Sequence, residues 1–79
     1  MEKKKIKEVI YDLCIGKDIY ECEDILKKNF NDVSLFYEKA NIGDDGIFLI
    51  MSAYNVDNVY VEFYYMDDDY IVTDVSFSN

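Results

Sequence analysis

The stretch from Val59 to Phe77 constrains the fold of this chain more than any other part of its sequence. Two runs rich in β-branched and aromatic residues, 59–66 and 70–77, flank three successive aspartates. This pattern is typical of two strands joined by a turn. A two-residue loop would mix charged and apolar residues on each side of the hairpin, so the loop is predicted to be Asp67–Asp69. The cross-strand pairs that follow are Phe63 with Thr73, Val61 with Val75, Tyr65 with Ile71, and Val59 with Phe77.

The two sides of this predicted hairpin differ in character. One side is apolar, and the other mixes tyrosines with carboxylates. On the mixed side Glu62 and Asp74 are expected to lie opposite each other, although like charges across a strand pair are unfavourable. A protein that keeps such a pair is expected to use it to bind a cationic partner. The residues predicted on the mixed side are Tyr60, Glu62, Tyr64, Met66, Tyr70, Val72, Asp74 and Ser76.

Apolar residues at helical spacing predict two helices before the sheet. The first helix, at about 3–15, is indicated by a stripe that ends just before Gly16, a residue suited to terminate it. The second, at about 19–29, begins after Asp18, which can cap it, with Glu21 three residues later. The first stripe is Ile6, Val9, Ile10, Leu13 and Cys14; the second is Ile19, Cys22, Ile25 and Leu26, with Phe30 closing it.

Four strands are predicted after the helices, at about 33–38, 47–54, 59–66 and 70–77. The first should place Val33, Leu35 and Tyr37 on one side. The second is apolar on both sides, as in a central strand, so its register is left open. We therefore expect one domain, residues 1–79, of the α+β class, with two N-terminal helices packed on one face of a four-stranded antiparallel meander sheet. Either Phe48, Ile50 and Tyr54, or Ile47, Leu49 and Met51, should join the tyrosines on the other face.

The closing segment, Asp69-Tyr70-Ile71-Val72-Thr73-Asp74-Val75, resembles the final hairpin of NTF2-like and cystatin-like domains. This resemblance suggests a homodimeric accessory or ligand-binding module with a small apolar pocket between the helices and the sheet.

The charge distribution along the chain is more informative about the class of partner. The formal net charge is −9, and arginine is absent. Residues 1–17 hold five lysines and three acids, whereas from Ala40 onward there are eight acids and no basic side chain. Such a surface repels nucleic acids and anionic membranes and attracts basic partners. Direct nucleic-acid binding and membrane binding are therefore not expected.

The residues needed for common catalytic and metal sites are missing from the sequence. There is no histidine to serve as a general base, and the three glycines do not form a phosphate-binding loop. The aspartate-rich turns lack the alternating ligand spacing of a calcium loop. The two cysteines, Cys14 and Cys22, are expected to be buried apolar groups in a reducing cytoplasm. A non-enzymatic protein without cofactor or metal is predicted, with neither a membrane span nor a secretory signal.

The tyrosine-bearing side would form a larger apolar patch than most monomers expose. A partner protein, a second copy or a curled sheet could cover it. In size and charge the chain resembles the small acidic inhibitors of phages and mobile elements: anti-CRISPR proteins, antirestriction DNA mimics and nuclease-immunity proteins. We expect an inhibitor that occupies the basic surface of a nucleic-acid-handling protein, such as a nuclease or CRISPR effector; the homodimeric module is the alternative. The predicted partner-binding residues are Tyr60, Glu62, Tyr64, Asp67, Asp68, Asp69, Tyr70 and Asp74.

Overall fold

A computed structural model of the chain describes residues 3–78, and it confirms the predicted α+β class. Two helices precede one antiparallel sheet, in which the four strands lie side by side in chain order. The elements are α1 (Lys3–Cys14), α2 (Ile19–Asn29), β1 (Val33–Ile42), β2 (Phe48–Val56), β3 (Val59–Met66) and β4 (Val72–Ser78).

The helices form where the sequence pattern places them. Gly16 adopts a φ of +85°, a conformation that suits glycine at a helix end. The carboxylate of Asp18 accepts a hydrogen bond of 2.9 Å from the Glu21 N–H and so caps α2. Most residues of the two apolar stripes are buried as predicted, but Val9 and Ile25 are only half-buried and Leu13 is 36% exposed. No helix among residues 3–78 is long and apolar enough to cross a membrane.

Both helices pack on the same side of the sheet, called here the helix side. Alternate residues of β3 point to it, and Phe63 lies at its centre with no exposed area. The Tyr54 ring meets Phe63 edge to face, with centroids 5.6 Å apart. This packing fills the space between helices and sheet, and no pocket is found in the described part of the chain. The buried core residues are Ile6, Ile10, Cys14, Ile19, Cys22, Leu26, Phe30, Tyr54, Val56, Val59, Val61, Phe63, Tyr65, Val72 and Val75.

The predicted register of the β3–β4 hairpin is wrong by two residues. Phe63 pairs with Val75, not with Thr73, and the register then shifts again between Tyr64 and Tyr65. The partners change, but Val61, Phe63, Val75 and Phe77 stay on the apolar side, because a shift of two residues preserves the side that each residue faces. The second shift does not, and it moves Val72 from the predicted mixed side into the core, where it is 1% exposed.

The connection between the helices accounts for the longer turn. Gly16 N–H donates to the Val72 carbonyl (2.9 Å), and Val72 N–H donates to the Lys17 carbonyl (2.8 Å). Ile19 N–H donates to the Tyr70 carbonyl at 2.9 Å. The chain between Met66 and Val72 therefore bends toward the helices, and Tyr70 adopts a left-handed φ of +61°. These long-range bonds outweigh the local preference for a three-residue loop.

A bulge in β1 overturns a second prediction. Leu35 pairs with Tyr54 on the helix side, whereas Tyr37 pairs with Ala53 on the opposite side, and Phe36 is the extra residue between them. Leu35 and Tyr37 therefore lie on different faces. The pairing of β2 settles which of its two sides joins the tyrosines. Leu49 pairs with Met66 and Met51 pairs with Tyr64, so Leu49 and Met51 lie on the same face as Tyr64.

Candidate partner-binding surface

The side of the sheet opposite the helices, called here the outer face, carries most of the predicted site. Cross-strand partners share a face, so the pairing of Met51 with Tyr64 and of Ala53 with Glu62 places these side chains together. Ala53 has no exposed area although no helix covers it. The larger side chains around it therefore form a close-packed layer on the outer face.

A carboxylate joins two tyrosines at the centre of this layer. Glu62 Oε1 accepts a hydrogen bond of 2.8 Å from the Tyr64 hydroxyl, and Glu62 Oε2 accepts one of 2.9 Å from the Tyr60 hydroxyl. The Tyr60 oxygen also lies 3.0 Å from the Tyr37 hydroxyl. A carboxylate has about four acceptor positions, so Glu62 can still accept bonds from a cationic group. This Tyr–Glu cluster, defined as Tyr37, Tyr60, Glu62 and Tyr64, is thus ordered before any partner arrives.

The hydrogen bonds of the Tyr–Glu cluster change the acidity of its phenols. The bond to Glu62 raises the pKa of Tyr64 above its ordinary value of 10. The pKa of Tyr60 is raised by its contact with the Tyr37 hydroxyl, by desolvation and by Glu62. Both effects favour the neutral phenol, because the protonated hydroxyl is the hydrogen-bond donor. At neutral pH the hydroxyls of Tyr60 and Tyr64 therefore stay protonated and donate to the Glu62 carboxylate.

Two aromatic residues of β1 extend this surface, and sequence reasoning did not place them there. The Phe36 ring packs edge-on against Tyr37 and Tyr60, with centroid distances of 5.4 and 6.1 Å. Phe36 is 62% exposed and Tyr37 is 41% exposed. The bulge brings both rings to the outer face, and strict alternation along the strand could not reveal it.

One end of the sheet collects five aspartates and is called here the acidic end. Its two turns are joined, because Asp67 N–H donates to the Phe48 carbonyl (3.0 Å) and Phe48 N–H donates to Asp67 Oδ1 (3.3 Å). Asp69 Oδ1 accepts from Ile71 N–H at 2.9 Å. Some carboxylates therefore shape the turns. Among residues 3–78 no group of three or more acids or cysteines is placed to hold a metal ion. The aspartates of the acidic end are Asp44, Asp45, Asp67, Asp68 and Asp69.

Not every predicted site residue belongs to the outer face. The Tyr70 ring contacts Tyr65 and Tyr20, at centroid distances of 6.1 and 5.8 Å, so it lies on the helix side, and its predicted position is wrong. Asp74 does lie on the outer face, but it pairs with Tyr64. Glu62 faces Ser76 instead of Asp74, so the predicted like-charge pair is also wrong.

One lysine, Lys17, lies close to the acidic end, because its carbonyl accepts from Val72 N–H, and other lysines lie farther away. Lys7 Nζ is 5.8 Å from the centroid of the Phe77 ring, near the far end of β4. Lys27 lies in the last turn of α2 and forms a 2.9 Å ion pair with Glu23. Lys39 alone among the described lysines shares the outer face, opposite Met51.

The described surface is thus polarised along the strands, with carboxylates concentrated at one end. Comparison with family models, with curated proteins and with solved structures finds no match for this chain.

Proposed function

We propose that this chain is a small, acidic, non-enzymatic inhibitor of a basic nucleic-acid-handling protein, a nuclease or a CRISPR effector, in the cytoplasm. The Tyr–Glu cluster supports this proposal more than any other feature. It combines exposed aromatic rings with a carboxylate on a rigid sheet, and tyrosines of this kind commonly anchor protein interfaces.

The cluster fits a cationic groove for a physical reason. A guanidinium group of the partner can donate to the free acceptor positions of Glu62 while stacking on a neighbouring tyrosine ring. No rearrangement of the cluster is needed, because Tyr60 and Tyr64 already fix both carboxylate oxygens. Pre-ordering of this kind lowers the entropy lost on binding.

The acidic end supplies the long-range attraction. Its five aspartates lie on two joined turns at one end of the outer face. Charges at the rim of an interface mainly accelerate association and make it depend on salt. We therefore assign anchoring to the Tyr–Glu cluster and electrostatic steering to Asp67, Asp68 and Asp69.

The test begins with a pull-down from the native host at low and then moderate salt. The partner recovered is purified, and its nucleic-acid cleavage is titrated with the chain. We expect recovery of a basic nuclease or effector and loss of its cleavage activity. Recovery of the chain's own copies alone, or full cleavage activity at saturating chain, would contradict the proposal.

Two variants then locate the surface. Replacing Asp67, Asp68 and Asp69 by lysine should slow association by about tenfold or more at low salt and weaken its salt dependence. A matched control replaces Glu8, Asp12 and Asp24 on the helices by lysine and changes the net charge equally. Equal association rates for the two triple variants would show that the acidic end is not the steering surface.

The anchor is tested separately. Tyr64→Ala should weaken binding by about 30-fold or more if Tyr64 is a central interface residue. Tyr11→Ala removes another exposed tyrosine, on α1, and should leave the affinity unchanged.

A further inference from the structure

The two edge strands of the sheet, β1 and β4, differ in the backbone hydrogen bonds that they make with the rest of the chain. The start of β4 is bonded to the connection between the helices, through Gly16 and Lys17. In the described part of the chain, β1 is bonded to β2 alone, so its other edge presents unpaired backbone groups. An open edge of this length is a template for another strand.

The side chains of β1 are exposed on both faces, as expected of a strand that lacks a neighbour. Leu35 and Ile42 on the helix side are 49% and 67% exposed, and Phe36 and Tyr37 are similarly open on the outer face. A covering helix could protect only one of these faces. A strand added beside β1 would shield both.

From this edge we propose that two copies of the chain pair through β1, antiparallel about a twofold axis, to form one continuous eight-stranded sheet. The proposal is independent of the inhibitory function. Charge favours a second copy as the occupant. The chain carries a net −9, yet the only charged residues in β1 and β2 are Glu38 and Lys39, of opposite sign. Two acidic copies therefore meet with least repulsion along this strand.

The register follows from the backbone alternation. Gly43 N–H donates to the Ile47 carbonyl (2.9 Å), so residue 43 points its backbone groups toward β2. Because this direction alternates along an antiparallel strand, Glu38, Ala40 and Ile42 point theirs to the open edge. After the bulge at Phe36, these three residues are the ones able to bond to a second β1.

Charge then excludes two registers, and of the remaining ones the axis at Ala40 gives the longest overlap of the two strands. An axis at Glu38 or at Lys39 would place like charges directly opposite each other. An axis at Ala40 pairs Ala40 with Ala40 of the second copy and Glu38 with Ile42. It also pairs Lys39 with Asn41, so no like charges are opposed.

The interface is modest in size. The exposed parts of the four apolar side chains of β1 amount to roughly 400 Å², since an aromatic side chain has about 150–250 Å² to bury. Only part of this area is covered in the Ala40 register, because residues 35–37 lie opposite the turn 43–45 of the second copy. A standard interface buries about 800 Å² per partner. We therefore expect a weak dimer, with a dissociation constant on the order of 10–100 µM. In this dimer both outer faces lie on the same side of the sheet, because the axis is perpendicular to it.

Sedimentation equilibrium of the purified chain, from about 10 µM to about 1 mM, tests the proposal. We expect a reversible shift from monomer to dimer. Ala40→Pro removes the outward N–H, a change that edge strands tolerate, and should abolish dimerisation. Ala40→Lys, with Ser34→Lys on the same strand as its control, gives an independent variant if the proline disturbs folding, and should weaken the dimer by at least tenfold. A wild-type monomer throughout, or a dimer unaffected by both Ala40 changes, would overturn the proposal.

Cross-linking tests the axis itself. A hydrogen-bonded antiparallel pair has its Cα atoms about 5.5 Å apart, within the range of a disulfide. Under mild oxidation Ala40→Cys should therefore give a covalent dimer, seen on a non-reducing gel. Asn41→Cys, whose counterpart lies off the axis, should give much less. Equal yields from the two variants would refute the register.

Discussion

The buried hydrogen bond between Ser52 and Tyr65 gives the sharpest test of how the sheet is held in register. The two hydroxyl oxygens are 2.6 Å apart on the helix side, and the residues are 1% and 4% exposed. Burial raises the pKa of Tyr65, as expected for a phenol removed from water. Because Ser52 lies opposite Phe63, two residues from Tyr65, the bond runs diagonally between β2 and β3.

Ser52→Ala removes one partner and leaves the Tyr65 hydroxyl buried without this bond. Such an orphaned group costs about 1–3 kcal/mol. A domain of this size has a total stability of about 4–12 kcal/mol, so the loss is a large fraction of it. The melting temperature should fall by roughly 5–20 °C. Tyr65→Phe leaves the Ser52 hydroxyl buried without this bond and should also cost about 1–3 kcal/mol.

The double variant, Ser52→Ala with Tyr65→Phe, tests whether the two hydroxyls stabilise the protein through their mutual hydrogen bond. With both hydroxyls gone, no polar group is orphaned, so the combined loss should be smaller than the sum of the single losses by about 1 kcal/mol. Urea unfolding followed by circular dichroism measures all four proteins, and Ser34→Ala on the exposed strand β1 is the control. Strictly additive losses, or a Ser52→Ala effect no larger than that of the control, would refute the reasoning.

Two further predictions concern titration and thiol reactivity. Because the folded-state pKa of Tyr64 is raised, its stabilising effect is present below pH 10 and is lost as the pH rises through the folded value. The urea midpoint should therefore drop above about pH 10, and less steeply in Tyr64→Phe than in the exposed control Tyr11→Phe; equal slopes would argue against the bond to Glu62. Cys14 and Cys22 have no exposed area, so a thiol reagent should label them at least about 100-fold more slowly in buffer than in denaturant, and rapid labelling of the native protein would contradict their burial.

Local signals were enough to predict the fold class and much of the core. The stripes Ile6–Cys14 and Ile19–Phe30, with Gly16 and Asp18 between them, place two helices, because helical periodicity and capping depend on neighbours in sequence. The strand β3 spans Val59–Met66, the range its alternation predicts. These features succeed because one side of each element is buried.

The errors occur where long-range bonds or an extra residue decide the geometry. Tyr70 and Val72 were misplaced because the helix connection draws the end of the hairpin toward itself. Tyr37 was assigned to the wrong face because the bulge at Phe36 interrupts the alternation. The Tyr–Glu cluster was therefore predicted only in part: Tyr60, Glu62 and Tyr64 follow from β3 alone, whereas the rings of β1 do not.

The backbone bonds between the helix connection and Val72 have a consequence for folding. They form an isolated antiparallel bridge between that short connection and the start of β4, two parts of the chain more than fifty positions apart. An isolated fragment of residues 59–78 lacks this template, so it would close on its own aspartates in the shorter-loop alignment. The native pairing of the last hairpin thus depends on contacts with the N-terminal segment, so the two halves of the chain stabilise each other.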